Sequence, residues 1–333
     1  MQKPLVAVTI STSTARRVMG QEAWDALSEI AEVRRNPHDR TLTEDELGDL
    51  LSGAQACISG WGGGKLTAKV LDRAPELRFV AYSAGSIKPI VTDAFWERGI
   101  RITSCAPAIA VDVAETTLGL MIVSIKKIWQ YNRYTHQGGW LSNAPFGPPL
   151  EMKGKTIGIV GASHVGRRVM ELLRAFEVRI LLYDPYCDAE RAKALGAEKV
   201  ELDELMSRSD IVSLHAPITE QTHHMINARN LALMKDGAIL INTARGWLVD
   251  EQALIAELRT GRIFACLDVT DPEPPAKDSP LRQLDNVILT PHIAGPVTDC
   301  TRLGRRAVEE VRRFFAGEPP LYEVTRDMLS YTA

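Results

Sequence analysis

The sequence lacks the features that mark several classes of protein. Its five cysteines are an odd number without a Cys-x-x-Cys pair, so neither a disulfide framework nor a zinc site is predicted. We therefore expect no bound metal, reduced thiols and a cytoplasmic location. The net charge of −3 and the absence of a basic tract argue against nucleic acid or an acidic membrane surface as a partner.

Long apolar runs and internal repeats are also scarce. The first apolar run is too short for a signal peptide and is typical of a first strand, and we find no repeat of solenoid period. We expect no window to approach the roughly 20 apolar residues that span a bilayer. With 333 residues, of which 45% are hydrophobic and 24% charged, the chain is long enough for two globular domains.

The most informative stretch is 156–166, where an apolar run stops at glycines and a helical pattern begins. We predict a strand, a tight turn and a helix, whose N-terminal N–H groups are suited to a pyrophosphate. The expected Gly-x-Gly-x-x-Gly spacing is met at Gly161 and Gly166, but Ser163 takes the middle position. Its Cβ narrows the approach, although its hydroxyl could donate to a phosphate oxygen.

An acidic residue at the right distance supports this interpretation. The segment 179–183 is predicted to be the next strand, and Asp184 follows it, about 20 residues after Gly161. A carboxylate at this position accepts from ribose hydroxyls and repels a 2′-phosphate, which favours NAD over NADP. The alternative is an ordinary strand-turn-helix corner with a surface aspartate.

Short strands alternate with helices along the whole chain, which predicts doubly wound α/β domains with parallel sheets. One long helix at 111–135 is predicted to cross between the domains, and a last helix at 297–315 to return to the first. The other predicted helices of the first part lie near 22–31, 44–52, 66–73 and 92–98. The predicted strands are 5–10, 56–59, 77–82 and 100–104, then 156–160, 179–183, 211–215, 238–242, 264–268 and 286–289.

Loops that follow strands supply the candidate functional residues. Glycine-containing loops at 60–64 and 83–86 follow two strands of the first series and are candidates to face a substrate, or are turn chemistry alone. Arg245, Glu273 and His292 follow three strands of the second series, so parallel pairing can bring them to one edge. Arginine suits a carboxylate, histidine can act as acid or base, and glutamate can orient and charge that histidine.

The chain resembles the D-isomer-specific 2-hydroxyacid dehydrogenases over nearly its whole length. The resemblance implies a Rossmann NAD domain inserted into a flavodoxin-like substrate domain, with boundaries at 106–297 for the former and 1–105 plus 298–333 for the latter. It also implies a homodimer formed through the NAD domains. The matching stretches are 153–161, 214–217, 242–251, 267–274 and 290–295.

The resemblance further implies an NAD-dependent reaction between a small 2-oxo acid, such as glyoxylate, hydroxypyruvate or a phosphorylated relative, and its D-2-hydroxy acid. His292 would give a proton to the 2-oxo oxygen, Glu273 would keep that histidine charged, and Arg245 would bind the carboxylate. Trp61, Ser83, Ala84 and Gly85 complete the expected substrate set. The expected cofactor contacts are Gly161, Ser163, His164, Val165, Asp184, His215, Ala216, Pro217, Thr222, Thr243, Ala244, Arg245, Asp268, His292 and Gly295.

Two alternatives stay open. A dinucleotide-sensing protein on the same scaffold, similar to the C-terminal binding protein corepressors, would bind NAD without turnover, although the intact Arg245, Glu273 and His292 favour an enzyme. Lys88 stands in a loop where many relatives differ, and it could meet an extra anionic group or point to water. We expect no further regulatory domain after residue 333, which would disfavour a long, feedback-regulated enzyme.

Overall fold

The computed structural model describes residues 3–331 and divides them into two compact units. The first unit contains the described residues up to Ile109 together with those from Pro296 onward, and the second runs from Ala110 to Gly295. The chain therefore leaves the first unit once and returns to it once.

The first unit contains a five-stranded sheet in which every pair of neighbouring strands is parallel. The spatial order is β2-β1-β3-β4-β5, which is the order of the flavodoxin-like fold that the resemblance implies. Buried side chains on its two faces form two apolar clusters, with Ala7 in one and its neighbours Val6 and Val8 in the other. The strands are β1 (Leu5–Val8), β2 (Glu32–Arg35), β3 (Ala56–Ser59), β4 (Phe79–Tyr82) and β5 (Arg101–Ser104).

Five helices connect these strands: α1 (Thr12–Val18), α2 (Gly20–Ile30), α3 (Glu44–Leu51), α4 (Ala68–Asp72) and α5 (Asp93–Glu97). Helix α3 begins with a capping box in which the Thr43 side chain and the Glu46 side chain each accept from the other's backbone N–H. Helix α1 and strand β2 were not predicted. The residues of β2 are mostly exposed at the sheet edge and include one glutamate and two arginines, so they lack the apolar alternation of a buried strand.

The long helix predicted at 111–135 is divided in two, α6 (Ala106–Ile125) and α7 (Ile128–His136). Between them Lys127 adopts a left-handed backbone conformation with φ of 54°, which no α-helix can continue through. The Lys127 ammonium group donates to the Phe146 carbonyl at 2.5 Å. The connection after α7 is thereby tied to this break.

Helix α6 corrects our expectation about apolar segments. Its 20 residues are long and apolar enough, by length and composition alone, to cross a membrane. Half of that segment is buried inside the structure, where Ala114, Leu120, Met121 and Ile125 belong to an apolar cluster. Packing against the rest of the protein accounts for its apolar character.

The second unit contains a seven-stranded parallel sheet in the order β12-β11-β10-β9-β6-β7-β8. Taken from its first strand, this is the Rossmann order with one strand added at the far edge. We predicted six of these strands within two residues at each end and missed β8. The strands are β6 (Thr156–Val160), β7 (Arg179–Tyr183), β8 (Glu198–Lys199), β9 (Ile211–Leu214), β10 (Ile239–Asn242), β11 (Phe264–Leu267) and β12 (Val287–Leu289).

Helices α8 (His164–Leu173), α9 (Ala189–Ala194), α10 (Leu202–Arg208), α11 (Ala228–Leu231) and α12 (Glu251–Arg259) complete the second unit. The last helix, α13 (Thr301–Phe315), belongs to the first unit and packs on α2 and β4, as we predicted. Its buried Glu310 accepts from the backbone N–H groups of Leu321 and Tyr322, which fixes the segment that follows.

Candidate active site

His292 and Glu273 form the central pair of the candidate site in the second unit. The Nδ1 atom of His292 lies 2.6 Å from Oε1 of Glu273, and both side chains are about half exposed. Glu273 follows β11 and His292 follows β12, so two neighbouring parallel strands deliver them to the same edge of the sheet. Because the carboxylate occupies Nδ1, Nε2 is the ring atom that can exchange a proton with a substrate.

Asp268 holds the segment that carries His292. Its carboxylate is buried and accepts from the Thr290 hydroxyl at 2.5 Å and from the backbone N–H groups of Ile293 and Ala294, each at 2.9 Å. Its backbone carbonyl accepts from the His292 N–H at 2.9 Å. His292 itself has a φ of 53°, a conformation that side-chain-bearing residues rarely adopt and that these four hydrogen bonds maintain.

Arg245 lies in the loop after β10, beside the loop that bears Glu273. Gly246 packs so closely on that loop that a Cβ atom would come within 2.6 Å of the Asp271 nitrogen. The Asn242 side chain fixes the turn, since its amide donates to the Arg245 carbonyl at 2.8 Å and its oxygen accepts from the Ala244 N–H at 3.0 Å. Burial lowers the pKa of the Arg245 guanidinium, and the charge of Glu273 opposes that shift.

Gly161 makes the turn after β6 possible. Its φ is 100°, and a Cβ at this position would come within 2.8 Å of the Ala216 nitrogen in the loop after β9. Gly166 has no room for a side chain because a Cβ would meet the Gly161 carbonyl. Ser163 has an ordinary φ of −64° and serves as the N-cap of α8, with its hydroxyl accepting from the Gly166 N–H at 3.3 Å.

Asp184 is tied directly to this turn. One carboxylate oxygen accepts from the Ala162 N–H at 2.7 Å, and the other accepts from the Tyr186 N–H at the same distance. Each oxygen keeps a further lone pair, so the group can still accept from ribose hydroxyls. His164 and Val165 begin α8 beside the turn, and burial together with the charge of Arg167 lowers the pKa of His164.

The loop after β9 carries four other predicted cofactor contacts: His215, Ala216, Pro217 and Thr222. His215 is buried and its Nε2 lies 2.9 Å from the Ser213 hydroxyl, while Nδ1 has no hydrogen-bond partner among the described residues. Burial lowers the pKa of His215 to about 3. The Thr222 hydroxyl donates to the Pro217 carbonyl at 2.7 Å, so it stabilises its own loop.

The residues of the second unit fit a bound dinucleotide. The glycine turn leads directly into the N-terminus of α8, the end of a helix that suits phosphates, and Asp184 stands at the end of the neighbouring strand. Thr243, a predicted nicotinamide contact, is buried with its hydroxyl 2.9 Å from that of Thr117. Gly295 ends the second unit, immediately after the Ala294 that Asp268 binds.

The predicted substrate residues of the first unit lie after β3 and β4. Trp61 is 37% exposed, whereas Ser83 and Ala84 are buried. The Ser83 N–H donates to the Ser59 carbonyl at 2.7 Å, as part of the pairing between the two strands. The Ser83 N–H is therefore already engaged, and the N–H groups of Ala84 and Gly85 remain as candidates to bind substrate.

Sequence reasoning missed several residues that shape the site. It did not identify Asn242 or Gly246, and it took Asp268 as a cofactor contact without its role in holding the His292 segment. An Asn at the end of a strand, two residues before a backbone N–H that it can bind, is a recognisable turn signal. The contacts of Asp268 reach more than 20 residues along the chain and carry no local signal.

Two doubly wound units and a dinucleotide turn with an Arg, Glu and His set define the class of nicotinamide-dependent oxidoreductases. Residues 118–294 match the family model described as D-isomer specific 2-hydroxyacid dehydrogenase, NAD binding domain. The chain is 37% identical over 254 residues to a hydroxypyruvate reductase of Thermotoga maritima, covering 75% of this chain and 81% of the relative. The chain therefore belongs to the D-isomer specific 2-hydroxyacid dehydrogenase family, and its second unit is of the NAD-binding type.

Other relatives extend this result. A D-3-phosphoglycerate dehydrogenase of Methanocaldococcus jannaschii is 35% identical over 297 residues, which cover 88% of this chain and 56% of the relative. This chain thus spans about half the length of that protein. The crystal structure of the apo D-mandelate dehydrogenase of Rhodotorula graminis superposes with a TM-score of 0.83, at 25% identity and with 97% of this chain and 98% of that chain covered.

Proposed function

We propose that the protein is an NAD-dependent oxidoreductase that interconverts a small 2-oxo acid and its D-2-hydroxy acid. The observation that carries this proposal is the 2.6 Å contact between His292 Nδ1 and Glu273 Oε1. A histidine oriented by a carboxylate is the group that a ketone needs for protonation during reduction. The neighbouring Arg245 supplies a planar cation for the substrate carboxylate.

The residues divide the chemistry among them. Arg245 binds and orients the substrate carboxylate, and the N–H groups of Ala84 and Gly85 are candidates for substrate contact in the first unit. When bound, the nicotinamide supplies or accepts the hydride. His292 donates its Nε2 proton to the 2-oxo oxygen during reduction, and Glu273 stabilises the imidazolium form. In the opposite direction His292 takes the hydroxyl proton.

The glycine turn, Asp184 and the loop after β9 would hold the dinucleotide. Gly161 permits the tight turn and Gly166 the close packing of α8 on it, which together present the N-terminus of α8 to the phosphates, and Asp184 accepts from the ribose hydroxyls. We assign Thr243, Ala244 and Asp268 to the nicotinamide side on the strength of their positions after β10 and β11.

The test is NADH oxidation against glyoxylate, hydroxypyruvate, phosphohydroxypyruvate, pyruvate and branched or aromatic 2-oxo acids. Wild type is compared with Arg245→Ala and His292→Ala. We expect turnover of at least one acid, lost in both variants, while NADH binding survives in His292→Ala. If the wild type binds NADH tightly but turns over none of these acids, the result would instead favour the NAD(H)-sensing protein.

We also propose a homodimer formed through the second unit, in the cytoplasm. Five large apolar side chains exposed within 128–150 support the dimer, because large exposed apolar patches mark sites of protein–protein contact. They are Ile128, Trp129, Trp140, Leu141 and Leu150. The five cysteines are all buried and form no disulfide within residues 3–331, which suits a reducing compartment. Sedimentation analysis at several concentrations tests the dimer, and a concentration-independent monomer would exclude it.

A further inference from the structure

The sheet of the first unit has a reversal point of its own. From β1 the chain passes to β2 on one side and then to β3 on the other, so the order changes direction between β1 and β3. In open parallel sheets, ligands bind beyond the carboxyl ends of the strands at such a point. The buried Thr9 hydroxyl donates to the Ser59 hydroxyl at 3.0 Å here and links the ends of the two strands.

The loop after β3 is packed firmly at this point. A Cβ on Gly60 would come within 2.6 Å of the Ser83 hydroxyl, and a Cβ on Gly63 would meet the Ser59 hydroxyl. Trp61 projects from this closely packed loop and remains 37% exposed. Its position is therefore set by the backbone around it, while part of its ring stays available to a ligand.

Arg17, on α1, lies beside Trp61. The centre of its guanidinium group is 5.9 Å from the centroid of the Trp61 ring, within range of a cation–π interaction. One guanidinium nitrogen donates to the Val297 carbonyl at 3.0 Å, and the Arg17 carbonyl accepts from the Cys300 N–H at 3.1 Å. The guanidinium is thus held by the Val297 carbonyl and the Trp61 ring, while the backbone of Arg17 is held by the Cys300 N–H.

No carboxylate neutralises Arg17 within residues 3–331. Other arginines of the same unit are paired, such as Arg101 with Glu323 and Arg305 with Glu22. The loops at 60–64 and 83–88 contain no acidic residue. Asp39 accepts from the Ser13 N–H near the first turn of α1, and Asp299 accepts from the N–H and hydroxyl of Thr301. The guanidinium therefore keeps donors for a further anion.

We propose that Arg17 binds a second anionic group, a carboxylate or phosphate at the far end of the substrate, and that Trp61 covers the carbon chain leading to it. This inference rests on the proposed function, because it names the class of 2-oxo acid that the enzyme takes. The guanidinium fork matches either anion with two parallel hydrogen bonds. The ordered Arg17 and Trp61 lose little freedom when they bind.

Matched pairs of acids test the assignment. We compare 2-oxoglutarate with 2-oxopentanoate and phosphohydroxypyruvate with hydroxypyruvate, each in wild type, Arg17→Gln and Arg17→Lys. We expect wild-type kcat/KM to favour one charged member by about tenfold or more, the advantage to vanish in Arg17→Gln, and part of it to return in Arg17→Lys. The pair that responds distinguishes carboxylate from phosphate.

Arg35→Gln is the matched control, because Arg35 also covers a tryptophan of the first unit, Trp24, at 3.6 Å. Arg35→Gln should leave the ratio of kcat/KM between the charged and the uncharged acid unchanged in both pairs. An equal fall of kcat/KM on charged and uncharged acids in Arg17→Gln would overturn the assignment, since Arg17 would then act only by fixing 297–300. A wild-type preference for the uncharged members would also overturn it.

Binding measurements separate this inference from the proposed function. Titration calorimetry of the NADH-loaded protein with the same acids gives affinity without turnover. Affinity for a charged acid that Arg17→Gln loses, with no turnover of any acid, would remove the proposed function and uphold the anion site. Turnover of an uncharged acid that Arg245→Ala abolishes, without any gain from a second charge, would do the reverse.

Discussion

Asp268 and Ala294 are joined by a hydrogen bond of 2.9 Å from the Ala294 N–H to the buried carboxylate. The bond closes a loop that contains His292, the proposed acid and base. Because the same carboxylate also binds Thr290 and Ile293, one residue determines the backbone on both sides of His292. The position of the proton donor thus depends on a group that follows a different strand.

Replacing Asp268 by Asn should therefore loosen the loop. The amide presents one acceptor oxygen where three donors need acceptors, so we expect the free energy of unfolding to fall by about 1–3 kcal/mol and kcat to fall with it. Urea denaturation of the cofactor-free protein measures the first effect. Asp278→Asn, at an exposed position, is the control. Weaker NADH binding with unchanged stability would show that Asp268 acts by contacting the cofactor.

Ser163 offers a second test, because the structure gives its hydroxyl a definite role as N-cap of α8. Ser163→Ala should lower stability by about 1 kcal/mol, and Ser163→Gly by only a few tenths. We expect Ser163→Gly to leave NADH binding unchanged or to tighten it, because the Cβ that narrows the approach is gone. Fluorescence titration with NADH decides this. Marked weakening in both variants would mean that the hydroxyl binds phosphate.

How far the sequence predicts this protein depends on where each residue's partners lie. Buried strands such as β6 and β9 were found because every side chain is apolar or small and glycines or turn residues follow them. Strands β2 and β8 were missed because they consist largely of exposed Glu, Lys and Arg residues. Only the pairing of β2 with β1 and of β8 with β7 identifies them as strands. The break at Lys127 was missed for a similar reason, since the Phe146 carbonyl that binds it lies in a later loop.

The candidate site divides in the same way. Arg245, Glu273 and His292 were found because parallel strands deliver their following loops to one edge, which the strand pattern alone indicates. The hydrogen bonds that Asp268 accepts from Thr290 and Ala294 depend on how the loop after β12 folds back. No local sequence pattern predicts them. The engagement of the Ser83 N–H with Ser59 likewise follows from the pairing of β3 and β4.

Asp184 should set the choice of cofactor. Its carboxylate repels a 2′-phosphate, so we expect NADH to bind at least about tenfold more tightly than NADPH. Asp184→Ala should reduce the preference for NADH over NADPH. It should also weaken NADH binding, because the Ala162 and Tyr186 N–H groups lose the carboxylate that accepts from them. Dissociation constants for both cofactors test this, with the exposed Glu190→Gln as control. Equal affinities in wild type would contradict the role given to Asp184.

His215 should make stability depend on pH. Burial lowers its pKa to about 3, whereas an unfolded histidine titrates near 6.5, so the unfolded chain binds an extra proton between these values. The stabilisation is complete above about pH 6.5 and is lost as the pH falls towards 3. At pH 5 this one residue should lower the free energy of unfolding by up to about 2 kcal/mol relative to pH 7.

The measurement is urea denaturation at pH 7 and pH 5 of wild type, His215→Asn and His136→Asn. The fall in unfolding free energy between the two pH values should be smaller in His215→Asn, because asparagine does not titrate. His136 is exposed, so its variant should follow wild type. Equal falls in all three proteins would show that the buried imidazole is protonated in the folded state. Its unpartnered Nδ1 would then have to donate to an acceptor beyond the hydroxyl of Ser213.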